Sequence, residues 1–138
     1  MRLLNSLEHG QESIKAIEAI LEDLDAVPVA RHLIAGVSAA RTVYQMPNGR
    51  KIIVKQLRPT RLPTTCVGCS YNNGVDCHEG FYGVRLYLDT TGVFQVGVCI
   101  QRMDLCVPLE EFVTGDLCRE VLALRADEYR QLSAQHAR

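Results

Sequence analysis

The stretch that decides the fold is GVRLYLDTTGVFQVGVCI, residues 83–100. Apolar and polar residues alternate on both sides of Asp-Thr-Thr-Gly, which is the pattern of a half-buried β-hairpin. A three-residue loop, Thr90-Thr91-Gly92, with Gly92 in the left-handed region, sets Leu88 against Phe94, Leu86 against Val96 and Val84 against Val98 on one apolar face. Arg85, Tyr87, Asp89, Gln95 and Cys99 fall on the other. A two-residue loop would oppose Leu88 to Gln95 and mix the faces, so it is rejected. The chosen register predicts that Cys99 lies opposite Gly83, at the open end of the hairpin.

Immediately upstream is CVGCSYNNGVDCHEG, residues 66–80, with three more cysteines. Because the first hairpin strand emerges from this segment, its open end brings Cys99 back towards Cys77 and the Cys66-x-x-Cys69 knuckle. Four thiols can therefore converge. The C-x-x-C spacing lets two thiolates bind one ion or cluster without strain, and single cysteines from a later loop and strand complete the set. A structural zinc more often takes two such knuckles. One knuckle followed by scattered cysteines suits a [4Fe-4S] cluster, whose iron corners point in four directions. Zinc and a site without metal remain alternatives.

The neighbouring residues have plainer readings beside these. Cys106, in MDLCVP, is a core residue or an extra ligand, and Cys118 is a small buried hydrophobe on the last helix. His78 is a substitute ligand or a donor behind the ligands, since chain neighbours such as Cys77 and His78 seldom face one another as a dyad. Arg85 either reaches a ligand at the site or pairs with Asp89. Gly80 and Gly83 allow close backbone approach.

Further out, Leu3-Leu4 reads as a strand. In QESIKAIEAILEDL, Ile14, Ile17, Leu21 and Leu24 recur at helical spacing, with Gly10 and Pro28 as its punctuation. RTVYQMPNGRKIIVKQL, residues 41–57, reads as a hairpin turning at Asn48-Gly49, which would oppose Tyr44 to Ile53 and Val43 to Val54. RPTRLPTT is an extended connector. Beyond residue 107, Pro108 starts a short turn, PLEEFV, and a helix runs from about Asp116 to Gln135. The tail SAQHAR is expected to fray. The predicted class is α+β: two β-hairpins and a cysteine loop flanked by an N-terminal amphipathic helix and a C-terminal helix. It is organised as one domain over residues 1–138, with segments 1–57, 58–107 and 108–138.

Composition limits the function. The chain has 138 residues, 47% of them hydrophobic, and a formal net charge of −1. That is enough for a real core, with no global charge for binding nucleic acid. No segment is apolar enough to span a membrane. Asn5, Glu8 and His9 interrupt the opening apolar run, so no signal peptide is expected, and six cysteines in a reducing cytoplasm point to metal more than to crosslinks. Residues 50–61 carry five cations and no acid, read as a solvated face or as a docking patch for an anion.

The run C-x-x-C, then V-R-L-Y-L-D-T-T-G, then Cys99 resembles the C-terminal region of radical S-adenosylmethionine (SAM) enzymes. It is most like the GTP cyclase of molybdopterin biosynthesis, with twitch- or SPASM-like extensions akin to it, and the likeness spans about residues 3–132. The resemblance implies that Cys66, Cys69 and Cys99 hold an auxiliary [4Fe-4S] cluster. Arg85 matches the second arginine of the family strand, and Asp89 and Gly92 match its Asp-Gly turn. Gly83 replaces the family's first arginine, and the spacing from Gly92 to Cys99 is longer. Cys77 lies in an insertion and would fill the position that the cyclase leaves open for substrate. The C-x-x-x-C-x-x-C motif of the SAM-cleaving core does not occur. The expected partner is therefore a radical SAM catalytic chain or a missing N-terminal core, with no turnover from these residues alone. The different-class alternatives are a zinc-stabilised interaction module and a redox-sensing cysteine-cluster binding protein.

Overall fold

The computed structural model describes residues 1–4, 10–58, 60–73 and 76–136. Asn5, Glu8, His9 and the last two residues of the tail lie outside them. Helices and strands form an α+β chain that divides into two compact units. The first comprises Met1–Ile34 with Ala39–Arg58, and the second comprises Ala35–Ser38 with Pro59–Arg138.

The first unit is a four-stranded sheet with one helix. Its elements are β1 (Arg2–Leu4), α1 (Gly10–Asp23), β2 (Val27–Leu33), β3 (Ala39–Gln45) and β4 (Lys51–Leu57), with strand order β1-β4-β3-β2. The strand and helix at the N-terminus fall where the sequence pattern places them. β1 runs parallel to β4, Leu3 beside Val54. Ile17 and Leu21 of α1 bury against Ile52 and Val54, which are fully enclosed, with Leu3, Ala26, Tyr44 and Met46 around them. The helix ends in paired reverse bonds: Asp25 N–H donates to Glu22 O at 3.0 Å and Ala26 N–H to Leu21 O at 2.9 Å. This is a Schellman ending, and Asp25 takes the left-handed position with φ 48°.

Two expectations for this unit are corrected. The first hairpin pairs Tyr44 with Ile52 and Val43 with Ile53, one residue away from the register that Asn48-Gly49 suggested. Pro47 is the cause. Its ring holds φ negative, so Pro47-Asn48 form the middle of a type I turn closed by Gly49 N–H to Met46 O at 2.9 Å. Gly49 alone takes positive φ. The second concerns Pro28, which the sequence reading takes only as punctuation at the end of the helix and which instead lies within β2. β2 is an edge strand with a register shift between Pro28 and Ala30, an arrangement that tolerates a proline.

The second unit holds β5 (Arg85–Leu88), β6 (Phe94–Gly97), a 3₁₀ turn (Met103–Leu105), β7 (Val107–Pro108), α2 (Leu109–Thr114) and α3 (Asp116–His136). The sheet order is β5-β6-β7. β5 and β6 pair Leu88 with Phe94 and Leu86 with Val96, the register read from the three-residue loop, and Gly92 has φ 84°. Asp89 Oδ1 accepts from the Thr91 and Val93 N–H groups, both at 2.9 Å, and so holds the turn. The core gathers Leu62, Phe81, Val96, Val98 and Phe112, with Leu117, Cys118, Val121 and Leu124 of α3 packed against it. On the hairpin's apolar face Val96 and Val98 are buried, with α2 packed on β6 and β7, while Phe94 at the turn end is exposed. On the edge strand, Leu86 and Leu88 stay 57% and 64% exposed.

Among the described residues, no helix is long and apolar enough to cross a membrane.

Candidate functional site

Residues 62–69 coil in helical turns before β5. Cys66 N–H donates to Leu62 O at 3.1 Å and Cys69 N–H to Cys66 O at 3.3 Å. The coil sits on the core through Leu62 and Cys66. Its entrance is held by α3, where the Glu120 carboxylate takes the Thr65 N–H at 2.9 Å and the Thr65 hydroxyl at 2.5 Å. Burial pushes the Glu120 carboxyl up, but these bonds and those from Thr64 outweigh it, and its pKa is lowered.

The loop that follows returns Cys77 to the same place. Arg61 straps it: Nε donates to Asn72 Oδ1 at 2.8 Å and Nη2 to Cys77 O at 2.7 Å. Gln101, just past β6, donates to Asp76 O at 2.6 Å. Phe81 is then stitched on both sides, its N–H to Thr60 O at 2.9 Å and its carbonyl to Ser38 N–H at 2.7 Å. Gly80 makes this approach possible. It has φ 65°, and a Cβ there would stand 2.5 Å from Thr60 O and 2.7 Å from Ser38 Oγ.

These elements enclose one cavity. Cys66, Cys69, Cys77 and Cys99 all line it, with Leu62, Phe81, Val98 and Leu105 as apolar walls and Arg61 and Arg102 as the charged groups. Among the described residues, no carboxylate lines it. The pocket is narrow, with about 30 Å³ open to the centre of a water molecule, although its empty space out to the mouth is about 430 Å³. Among the described residues, no three His, Cys, Asp or Glu side chains gather tightly enough to share one ion. The thiols share a cavity without converging on a point. Two arginines lining a cavity with four thiols suit an anionic thiolate centre, since each ligating sulfur brings a negative charge.

The thiols are not equivalent. Burial pushes the Cys66 thiol up from its ordinary value. Cys69 is pushed down, first by a backbone hydrogen bond from Tyr71 and then by the Arg102 side chain.

The other candidates lie elsewhere. His78 is exposed and is not part of the cavity lining. Arg85 pairs neither with a ligand at the site nor with Asp89; its Nη2 meets the Glu79 carboxylate at 3.0 and 3.2 Å. Asp89 is bound within its own turn and to Gln95. Cys106 sits over Gly97 beside the Tyr87 ring and does not line the cavity. The cations of residues 50–61 are distributed over both units. Lys51 and Lys55 face Gln45 and Arg41 across the first sheet, Arg58 donates to Ile34 O at 2.8 Å, and Arg61 belongs to the cavity. Sequence reasoning missed Arg102, Gln101 and Glu120. Each acts on a distant loop, and no local spacing announces such a contact.

Comparison with protein-family models, with curated proteins and with solved structures finds no match.

Proposed function

We propose that this chain is an auxiliary iron–sulfur domain in which Cys66, Cys69, Cys77 and Cys99 hold a [4Fe-4S] cluster. The observation that carries this reading is the single cavity lined, among the described residues, by those four thiols, two arginines and no carboxylate. Thiols spread around a cavity favour a cluster over one tetrahedral ion, because each iron corner takes its own sulfur. When bound, the cluster supplies one-electron transfer. With four protein ligands it has no iron left open for substrate, so its work is passing electrons.

The resemblance to radical SAM enzymes supplies the partner. We infer a SAM-cleaving core outside these residues, in the cytoplasm, which receives or returns the electron. An adjoining coding region with a C-x-x-x-C-x-x-C loop and no auxiliary domain of its own would support that partner.

The cluster is tested by anaerobic purification and reconstitution. About four irons per chain and a broad absorbance band near about 400 nm are expected. Colourless protein with one tightly bound zinc per chain, after reconstitution has failed, would replace this reading with a zinc-stabilised interaction module.

A further inference from the structure

The two arginines of the cavity are engaged differently. Arg61 donates from all three nitrogens to oxygens: Nε to Asn72, Nη1 to Thr60 O at 3.2 Å and Nη2 to Cys77 O. It is a mechanical strap. Arg102 forms a two-pronged pair with Asp104, Nε to Oδ1 at 2.7 Å and Nη2 to Oδ2 at 2.6 Å. The same side chain lines the cavity together with Cys69. It thus stands between a carboxylate outside the cavity and a thiol inside it.

We infer that Arg102 and Asp104 set the reduction potential of the centre held at Cys69, Arg102 raising it and Asp104 opposing that rise. This rests on the cluster reading above. Reduction adds one electron to the cluster and increases the negative charge on its thiolate sulfurs. A cation in the same cavity as those sulfurs stabilises the reduced form more than the oxidised form, which raises the potential. Asp104 acts on the same sulfurs with the opposite sign. Its side chain is 61% exposed against 28% for Arg102, so water screens the carboxylate more than the guanidinium. The pair is net cationic at the cluster, with Asp104 as a partial brake.

A purely structural role for the pair makes a different prediction. The 3₁₀ turn is closed by the Arg102 backbone carbonyl, which accepts from Leu105 N–H at 3.0 Å, and this bond needs no Arg102 side chain. If the side chains only braced the loop, removing either would disturb the cluster in the same sense.

The experiment is a potentiometric titration, with dithionite as the electron donor, of anaerobically reconstituted full chains. The variants are Arg102→Gln, Arg102→Lys and Asp104→Asn, with iron per chain measured in parallel. The expected result is a lower midpoint for Arg102→Gln, a higher one for Asp104→Asn, and Arg102→Lys between wild type and Arg102→Gln. Midpoints that coincide, or that move in one direction for both charge removals at full iron content, overturn the inference. If Arg102→Gln loses its iron, Asp104→Asn decides alone, and no rise in its midpoint overturns it. Wild-type protein that takes up no iron removes the cluster reading itself. An iron-loaded wild type whose variants do not shift removes only the tuning role.

Discussion

Glu120 holds Thr65 by two groups at once, the backbone N–H at 2.9 Å and the hydroxyl at 2.5 Å, and thereby ties α3 to the coil that carries Cys66. The N–H groups at the start of a helical coil have no partners within it, and a carboxylate meets both their hydrogen-bonding need and their positive field. Glu120→Ala leaves these part-exposed donors to water and should lower stability by about 0.5–1.5 kcal/mol. Because the lowered pKa belongs to the folded state, the contribution is complete above 4.5, the ordinary value, and is lost as pH falls below it. Urea midpoints for wild type and Glu120→Ala should therefore differ at neutral pH and approach one another in acid. Equal midpoints at pH 7 would show that the tie contributes nothing.

The turn of the second hairpin makes a separate pH prediction. Hydrogen bonds from the Thr91 hydroxyl, and then from Val93 N–H, hold the Asp89 carboxyl down at about 2, against 3.8 without them. A depressed folded-state pKa stabilises above the unfolded value, so the contribution is full above about pH 4 and disappears as pH falls towards 2. Asp89→Asn should be less stable than wild type at pH 5, and the gap should narrow between pH 4 and 2. Circular dichroism of chemical denaturation across that range measures it. A gap that stays constant would assign the effect to packing rather than charge.

Asp25 offers a stabilising substitution. It occupies the left-handed position of the helix ending with φ 48°, where a Cβ is unfavourable and glycine is at ease. Aspartate tolerates that region better than most residues, so the gain is modest. Asp25→Gly should raise stability by about 0.5–1 kcal/mol, read as a higher melting temperature. A lower melting temperature would mean that the carboxylate does something at the helix end that the backbone argument misses.

What the sequence made legible followed local periodicity. The β5–β6 register could be read because one parity buries Val96 and Val98 while the other would bury Gln95, and Gly92 fits the loop that the correct parity requires. The return of Cys99 to the loop of Cys66, Cys69 and Cys77 follows from that same parity. The β3–β4 register was missed by one residue because Asn48-Gly49 outweighed Pro47 in the reading, whereas the ring constraint at Pro47 decides the turn. β2 was missed because Pro28 reads as a stop, and only the sheet's edge makes it harmless. The alternation in β5 assigns its apolar face but not whether that face is covered, and Leu86 and Leu88 stay exposed. Arg85 had two candidate partners by sequence, and the structure pairs it with Glu79, a choice fixed by how the cysteine loop folds back.

The proposed ligand set is tested by contrasting Cys77, which the sequence reading places among the four ligands, with Cys106, which it reads as a core residue or an extra ligand. Cys77 lines the cavity, and its loop is fixed from outside by Arg61 on the Cys77 carbonyl and by Gln101 on that of Asp76. Cys106 is turned to the sheet, with its sulfur 3.0 Å from where a Cβ on Gly97 would stand and the Tyr87 ring alongside. A hydroxyl is a much poorer ligand for a cluster iron than a thiolate, so Cys77→Ser should lower bound iron from about four to about three per chain or lose the cluster. Cys106→Ser should keep iron content and absorbance unchanged. Iron analysis and low-temperature electron paramagnetic resonance of the two variants, reconstituted side by side, separate the cases. Loss of iron in Cys106→Ser with retention in Cys77→Ser would move the fourth ligand to β7's entrance. It would also leave the Arg61 strap holding a loop that carries no ligand.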